Sequence, residues 1–131
     1  MEVKVEYLGK RKFKVIARGH EVMTDLPEKG GGEDSAPTPS ELFIGSIGSC
    51  AALYVARYLE TAKLDPEGLS VDMDWEFSED KSKISRVNMN IRVPNAELGA
   101  RKKAVVAAAN KCVIHQTLHD CLEININVEG E

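Results

Sequence analysis

The amino-acid sequence predicts an α+β fold in a single domain that spans residues 1–131. Segments with strand-like alternation precede one long helical segment, and a hairpin, a second helical region and a last strand follow it. No glycine-rich turn joins a strand to a helix in the way that a phosphate-binding βαβ unit requires. A chain of this length buries enough surface to form one core without disulfide bonds.

The N-terminal part is predicted to be a meander of strands over residues 1–26, followed by a loop over 27–38. Val3, Val5 and Tyr7 alternate with other residues, as in a strand with one buried face. The loop combines three consecutive glycines with prolines and acidic residues and has no periodicity. Its acidic neighbours and the lack of a following Lys-Ser/Thr pair argue against a phosphate-binding loop. Loops of this length in compact domains often have a function.

A helix that contains the first cysteine is predicted over residues 39–63. Thr38 and Glu41 have the spacing of a capping box, and Pro39 suits the first helical position. From Leu42 to Ala56 the helix carries no charge. We therefore expect it to be buried on nearly all sides.

The rest of the chain is predicted to form a hairpin over residues 69–93, a second helical region over 96–120 and a closing strand over 122–128. The helical region consists of a helix to about Lys111, then Cys112 and a short helical segment. In the return strand of the hairpin, Val87 and Met89 point inward. Ile84 is out of phase with them, which predicts a β-bulge near Arg86.

The composition excludes several classes of partner. A net charge of −4, a pI near 5.4 and scattered basic residues argue against binding to nucleic acid. The uncharged run in the cysteine helix is shorter than the roughly 20 apolar residues that cross a membrane, and the N-terminus does not resemble a signal peptide. We therefore expect a cytoplasmic protein, in which the three cysteines are thiols or redox centres.

Cys50 in the predicted helix has two possible roles. Gly45 and Gly48, with the serines beside them, can provide close packing, and Cys50 is then an inert buried thiol. Alternatively Cys50 is a nucleophile, which requires a helix N-terminus or a cation to stabilise its thiolate. A helix break near Gly48 would supply that N-terminus, whereas a continuous helix would leave the task to an arginine. The residues alone leave both possibilities open.

The motif APTPSELFIGSIGSCAAL, followed about sixty residues later by NKCVIHQTL, resembles the OsmC/Ohr family of osmotically inducible and organic hydroperoxide resistance proteins. The resemblance implies an OsmC-like fold, in which an antiparallel sheet wraps around long central helices of an intertwined homodimer. It also implies reduction of hydroperoxides by thiols, without a metal or organic cofactor. In this family pattern Cys50 matches the peroxidatic cysteine and Cys112 the resolving cysteine. A cellular dithiol would then reduce their disulfide.

The chain departs from the best-known peroxidases of the family at one position. Those proteins have a carboxylate directly after the motif proline, paired with an arginine, whereas this chain has Ser40 there and the acid at Glu41. The capping box already explains Glu41, and the arginine could be Arg11, Arg18 or neither. The pattern is more similar to the OsmC-like branch than to the Ohr branch.

For the peroxidase, Leu42, Phe43 and Ile47 are expected to form an apolar wall that favours organic hydroperoxides over hydrogen peroxide. A second function class is a dimer that binds a small molecule with Cys50 as a contact and no turnover, and a third is a purely structural dimer. Cys121 is expected to be a packed thiol. A zinc site of Cys112, His115 and His119 is disfavoured, because no second ligand cluster exists in the sequence.

Overall fold

A computed structural model describes residues 1–119 and 122–131 of the chain and confirms the α+β class. Its nine regular elements, in chain order, are β1 (Lys4–Gly9), β2 (Lys12–Ala17), β3 (His20–Thr24), α1 (Pro39–Thr61), β4 (Ser70–Phe77), β5 (Ile84–Val93), α2 (Lys102–Asn110), α3 (Val113–Leu118) and β6 (Glu123–Gly130). They form two compact units, Met1–Phe43 and Ile44–Glu131.

The first unit contains a three-stranded antiparallel sheet in the order β1-β2-β3. Val5 pairs with Val15 and Val15 pairs with Val22. Directly paired residues share one face of a sheet, so these valines give that face an apolar character. The opposite face is charged, with Lys14 near both Glu6 and Glu21.

The loop between β3 and α1 is folded around one buried carboxylate. Asp25 accepts hydrogen bonds from the backbone N–H of Leu26 at 2.8 Å and of Ser35 at 3.0 Å, and from the Ser35 hydroxyl at 2.6 Å. The backbone N–H of Glu33 also donates to this carboxylate. Gly32 is required here, because a Cβ would overlap the backbone oxygen of Leu26 and lie 2.6 Å from Asp25 Oδ1.

The helix α1 begins with the predicted capping box. The Thr38 N–H donates to Glu41 Oε1 at 2.8 Å, and the Glu41 N–H donates to Thr38 Oγ1 at 3.1 Å. The helix runs without a break to Thr61, two residues short of the predicted end. One face is buried in the core, through Ile44, Ile47, Gly48, Ala51, Val55 and Leu59.

Burial of α1 on nearly all sides is a wrong expectation for the single chain. Gly45, Ser49 and Leu53 follow one another at intervals of four residues and are exposed, and Leu53 is 49% exposed. By length and composition alone α1 could cross a membrane, but core helices of soluble proteins pass the same test. The packing of its buried face against the second sheet identifies α1 as a core helix.

The second unit contains a sheet in the order β4-β5-β6. β4 and β5 form the predicted antiparallel hairpin. Its bulge is confirmed, since Glu76 pairs with Arg86 and Phe77 with Ile84, which leaves Ser85 as the extra residue. β6 pairs in parallel with β5, so the expectation of an antiparallel sheet is wrong for this pair. The helical region between the two strands provides the crossover that parallel strands require.

The helical region differs from the predicted 96–120. A 3₁₀ turn over Gly99–Arg101 leads into α2, which begins only at Lys102. The residues before the turn are not helical, and the N–H groups of Leu98 and Gly99 donate to the backbone oxygen of Glu131. Cys112 separates α2 from α3 with an extended ψ of 132°.

Candidate functional site

The structure brings Cys50 and Cys112 together in the second unit. Both thiols are free, and Cys50 lies close enough to Cys112 to raise the pKa of that thiol. Cys50 is partly exposed, whereas Cys112 is completely buried. One of the two sulfur atoms is therefore open to a reactant, and the other is shielded.

Helix α1 presents Cys50 from its middle, far from either end. The continuous helix decides between the two possibilities that the residues left open, because no helix N-terminus lies at Gly48. That glycine instead allows β4 to come close: a Cβ at Gly48 would lie 3.1 Å from the sulfur of Met73. A thiolate at Cys50 therefore needs a cation from elsewhere.

The break between α2 and α3 positions Cys112. Its N–H donates to the backbone oxygen of Ala109, which ends one helix, and its Sγ accepts the backbone N–H of His115 at 3.4 Å, which begins the next. The Gln116 side chain donates to the oxygen of Asn110 at 2.6 Å and ties the two helices together. Cys112 thus takes the N-cap role that Ser or Thr usually has.

The surroundings of Cys112 favour its neutral thiol. Burial raises the pKa of Cys112, and the neighbouring Cys50 raises it further. The backbone N–H groups of His115 and Ile114 act in the opposite direction but do not offset the burial. A buried thiol of this kind holds its proton at neutral pH and must lose it before it attacks another sulfur.

His115 is the second unusual group at this site. Its Nδ1 is buried and has no hydrogen-bond partner among the described residues. Burial lowers the pKa of His115, and the nearby His119 lowers it further. The imidazole is therefore neutral at neutral pH, with one ring nitrogen shielded from solvent.

The predicted apolar wall has a different form in the structure. Leu42 and Phe43 line an open depression of about 450 Å³ in the first unit, together with Val15, Val22, Thr24 and Pro39. Ile47 is not part of it, because its side chain is completely buried in the core of the second unit. The prediction that Ile47 joins Leu42 and Phe43 was wrong because of the helical period. Ile47 lies on the face of α1 that is buried in the core.

The remaining candidate residues lie as follows. Glu41 caps α1. Arg11 and Arg18 lie in the two tight turns of the first sheet, and the Arg11 guanidinium donates to the backbone oxygen of Lys10. His119 is exposed, and within the described ranges 1–119 and 122–131 no three His, Cys, Asp or Glu side chains could hold a metal ion. Cys121 lies outside the described residues.

Sequence reasoning missed two groups. Asp25 showed no signal, because its donors come from a loop without periodicity. From the sequence, His115 was a member of the zinc alternative, an ordinary helix residue or a modest tuner of Cys112, and a shielded ring nitrogen depends on packing that spacing does not reveal. The motif NKCVIH nevertheless placed His115 three residues after Cys112, which is the N-cap to N3 spacing of a capping box.

Comparison with known proteins identifies the family and the fold of the chain. Residues 31–127 match the family described as OsmC-like protein. Protein YhfA of Escherichia coli K12 is 26% identical over 117 residues, which cover 86% of this chain and 84% of YhfA.

Solved structures show the same fold. An OsmC-like protein from Mycoplasma pneumoniae superposes with a TM-score of 0.82 at 14% identity, over 98% of this chain and 95% of that chain. An organic hydroperoxide resistance protein OsmC from Legionella pneumophila gives a TM-score of 0.73 at 17% identity, over 98% and 97% of the two chains.

Proposed function

Because the chain belongs to the family of OsmC-like proteins, we propose that it is a thiol-dependent peroxidase that reduces organic hydroperoxides. The observation that carries this proposal is the proximity of Cys50 and Cys112, which are far apart in the sequence, yet Cys50 raises the pKa of Cys112. One of these thiols is partly exposed and the other is fully buried. This asymmetry suits one sulfur that meets the substrate and another that reacts only with the first.

The proposed reaction has two steps on the protein. The thiolate of Cys50 attacks the O–O bond of the hydroperoxide and becomes a sulfenic acid, while the leaving alkoxide takes a proton and departs as an alcohol. The sulfur of Cys112 then attacks the sulfur of Cys50, which releases water and leaves a disulfide. A cellular dithiol, itself oxidised to a disulfide, restores both thiols. This cycle assigns the protein to the reducing cytoplasm.

Activation of Cys50 depends on a cation, because α1 offers no N-terminus at this position. We assign this task to an arginine. Glu41 does not orient it in this proposal, because its carboxylate is engaged in the helix cap. Organic hydroperoxides are the proposed substrates, because the organic hydroperoxide resistance protein from Legionella pneumophila has the same fold.

A homodimer completes the proposal. The exposed stripe of α1 is uncharged between Glu41 and Arg57, where it contains Gly45, Ser49 and Leu53. The first sheet likewise exposes Val5 and Val22 on its apolar face. A second copy of the chain would remove both surfaces from water, which accounts for the uncharged middle of the exposed side of this helix.

Mass spectrometry after addition of one equivalent of cumene hydroperoxide tests the activity. We expect rapid formation of a disulfide between Cys50 and Cys112, and slower formation with hydrogen peroxide. In Cys112→Ser the reaction should stop at a sulfenic acid on Cys50, which dimedone labels. The reason is that the second sulfur needed for the condensation is gone.

Cys121→Ser is the matched control, because it removes a thiol of the same chain and should leave the disulfide unaffected. Over-oxidation of Cys50, or no change at any cysteine, would contradict the peroxidase. If no cysteine changes and the protein binds cumene hydroperoxide saturably without reacting with it, the result would support a binding protein instead. Equal rates with the two peroxides would contradict the assignment of substrate class.

A further inference from the structure

The condensation step lacks a base in the account given so far. Cys112 is completely buried, and a thiol in such surroundings is protonated at neutral pH. Its attack on the sulfenic acid requires that this proton be removed, and the departing hydroxide requires a proton to become water. A group that accepts the first proton and returns it to the hydroxide would serve both needs.

His115 lies where such a group is needed. Its backbone N–H donates to Cys112 Sγ at 3.4 Å, so the main chain of His115 contacts the reacting sulfur. Cys112 and His115 occupy the N-cap and N3 positions of a capping box, in which the N3 side chain turns back toward the N-cap. The usual target there, the N-cap N–H, already donates to the oxygen of Ala109.

The ring of His115 carries the second, independent observation. Its Nδ1 is buried and has no hydrogen-bond partner in the part of the chain that the structure describes. A buried nitrogen without a partner costs free energy, which suggests a role other than packing. Among the described residues, the titratable group that acts on this imidazole is His119 of its own segment. The thiol of Cys112 accepts the His115 backbone N–H and is influenced by Cys50 of α1.

We propose that the imidazole of His115 is the proton-transfer group of the resolving step. Nδ1 accepts the proton of the Cys112 thiol as its sulfur attacks the sulfur of Cys50. The S–S bond forms, the S–O bond breaks, and the imidazolium returns the proton to the hydroxide, which leaves as water. The sulfur of Cys112 supplies the two electrons of the new bond and is oxidised, while the sulfur of Cys50 is reduced. No further reactant is therefore needed. This inference rests on the proposed peroxidase function.

Single-turnover kinetics of His115→Asn test this role. Asparagine keeps a hydrogen-bonding group near the position of Nδ1 but does not take up a proton at neutral pH. With one equivalent of cumene hydroperoxide, we expect the sulfenic acid at Cys50 to form at the wild-type rate. Its conversion to the disulfide should slow by about tenfold or more, since general bases typically contribute 10²–10⁴-fold.

The pH profile separates proton transfer from a structural effect. In the wild-type protein the condensation rate should rise with pH as the imidazole loses its proton. This rise should occur at a pH below the ordinary pKa of histidine, and it should be absent in His115→Asn. His20→Asn, the same change on an exposed residue of β3, is the matched control and should keep both the rate and the profile. His115→Gln serves as a second variant if His115→Asn does not fold.

The outcomes distinguish the two proposals. Condensation at the wild-type rate in both His115 variants, with the rise with pH retained, would overturn the role of His115 and leave the peroxidase intact. Absence of any sulfenic acid or disulfide in the wild-type protein would overturn the peroxidase, and the role of His115 with it.

Discussion

Asp25 shows how one side chain can organise a loop that has no periodic pattern. Its carboxylate accepts hydrogen bonds from four groups, which are the backbone N–H groups of Leu26, Glu33 and Ser35 and the Ser35 hydroxyl. Concave arrangements of backbone N–H groups usually bind external anions. Here the glycine-rich loop surrounds a carboxylate of its own chain. The three consecutive glycines, which are also typical of phosphate-binding loops, therefore belong to a loop that binds a carboxylate of its own chain.

We expect Asp25 to make the stability of the protein depend on pH in the acidic range. Its hydrogen bonds, with that from Ser35 the strongest, lower the pKa of Asp25 from 3.8 to about 2. A carboxylate with a lowered pKa stabilises the folded state above its unfolded-state pKa, and this contribution is lost as the pH falls from about 3.8 toward about 2. Asp25→Asn should be less stable than the wild type at neutral pH, and the difference should shrink across this window.

Urea unfolding over a pH series, at one protein concentration, measures this difference. Asp34→Asn is the control, since it makes the same change in an exposed residue of the same loop and should follow the wild-type curve. A constant difference between Asp25→Asn and the wild type from pH 5 down to pH 2 would contradict the role of the carboxylate.

At the scale of elements, substitutions at the start of α1 can distinguish a role in capping the helix from a role in catalysis. Thr38→Ala removes the oxygen that accepts the Glu41 N–H, and we expect a loss of about 1 kcal/mol in the free energy of unfolding. Glu41→Gln keeps a side chain that can complete a capping box. It should therefore retain most of the stability and the full rate of sulfenic acid formation at Cys50.

Stopped-flow oxidation and urea unfolding of both variants check this division. Ser40→Ala at the neighbouring position is the comparison, because Ser40 stands where the best-known relatives have their carboxylate. A large loss of rate in Glu41→Gln with unchanged stability would show that Glu41 acts in catalysis and not in the cap.

The elements also show which features a sequence can reveal. The capping box and the bulge at Ser85 were predictable, because both depend on residues close together in the chain. The parallel direction of β6 was not, since alternation identifies a strand and its faces but not its orientation. The contact of Leu98 and Gly99 with Glu131 was not predictable either, because it joins residues that are distant in the chain.

The same limit applies to the candidate site. Cys50 and Cys112 were recognisable from two motifs in a fixed order, although their contact required the folded chain. The shielded nitrogen of His115 and the continuous path of α1 past Gly48 depend on packing across elements. Spacing therefore identified the two thiols, while the group proposed to serve them became visible only in three dimensions.

At the scale of the whole molecule, the two faces of β3 provide a test of the homodimer. Val22 lies on the apolar face, paired with Val15, and Met23 lies on the charged face, paired with Lys14. The two side chains are almost equally exposed, at 46% and 43%. Val22→Lys should raise the dissociation constant of the dimer by about tenfold or more, because it places an unpaired charge in the contact.

Sedimentation over a range of protein concentrations measures this constant. Met23→Lys introduces the same charge one residue away on the other face and should leave the dimer unchanged. Equal effects of the two variants would contradict a contact through the apolar face, and a wild-type protein that sediments as a monomer would contradict the dimer.

The parallel pairing of β5 with β6 also has a kinetic consequence. The side chains that bridge these strands, such as Arg86 and Glu123, are separated by 37 residues, and Cys112 lies within the intervening stretch. Contacts between distant segments form slowly, because a large loop must close first. During biosynthesis both sulfurs therefore exist for a time as separate, unshielded thiols. A newly made chain is open to wrong crosslinks with other proteins until its last strand has docked.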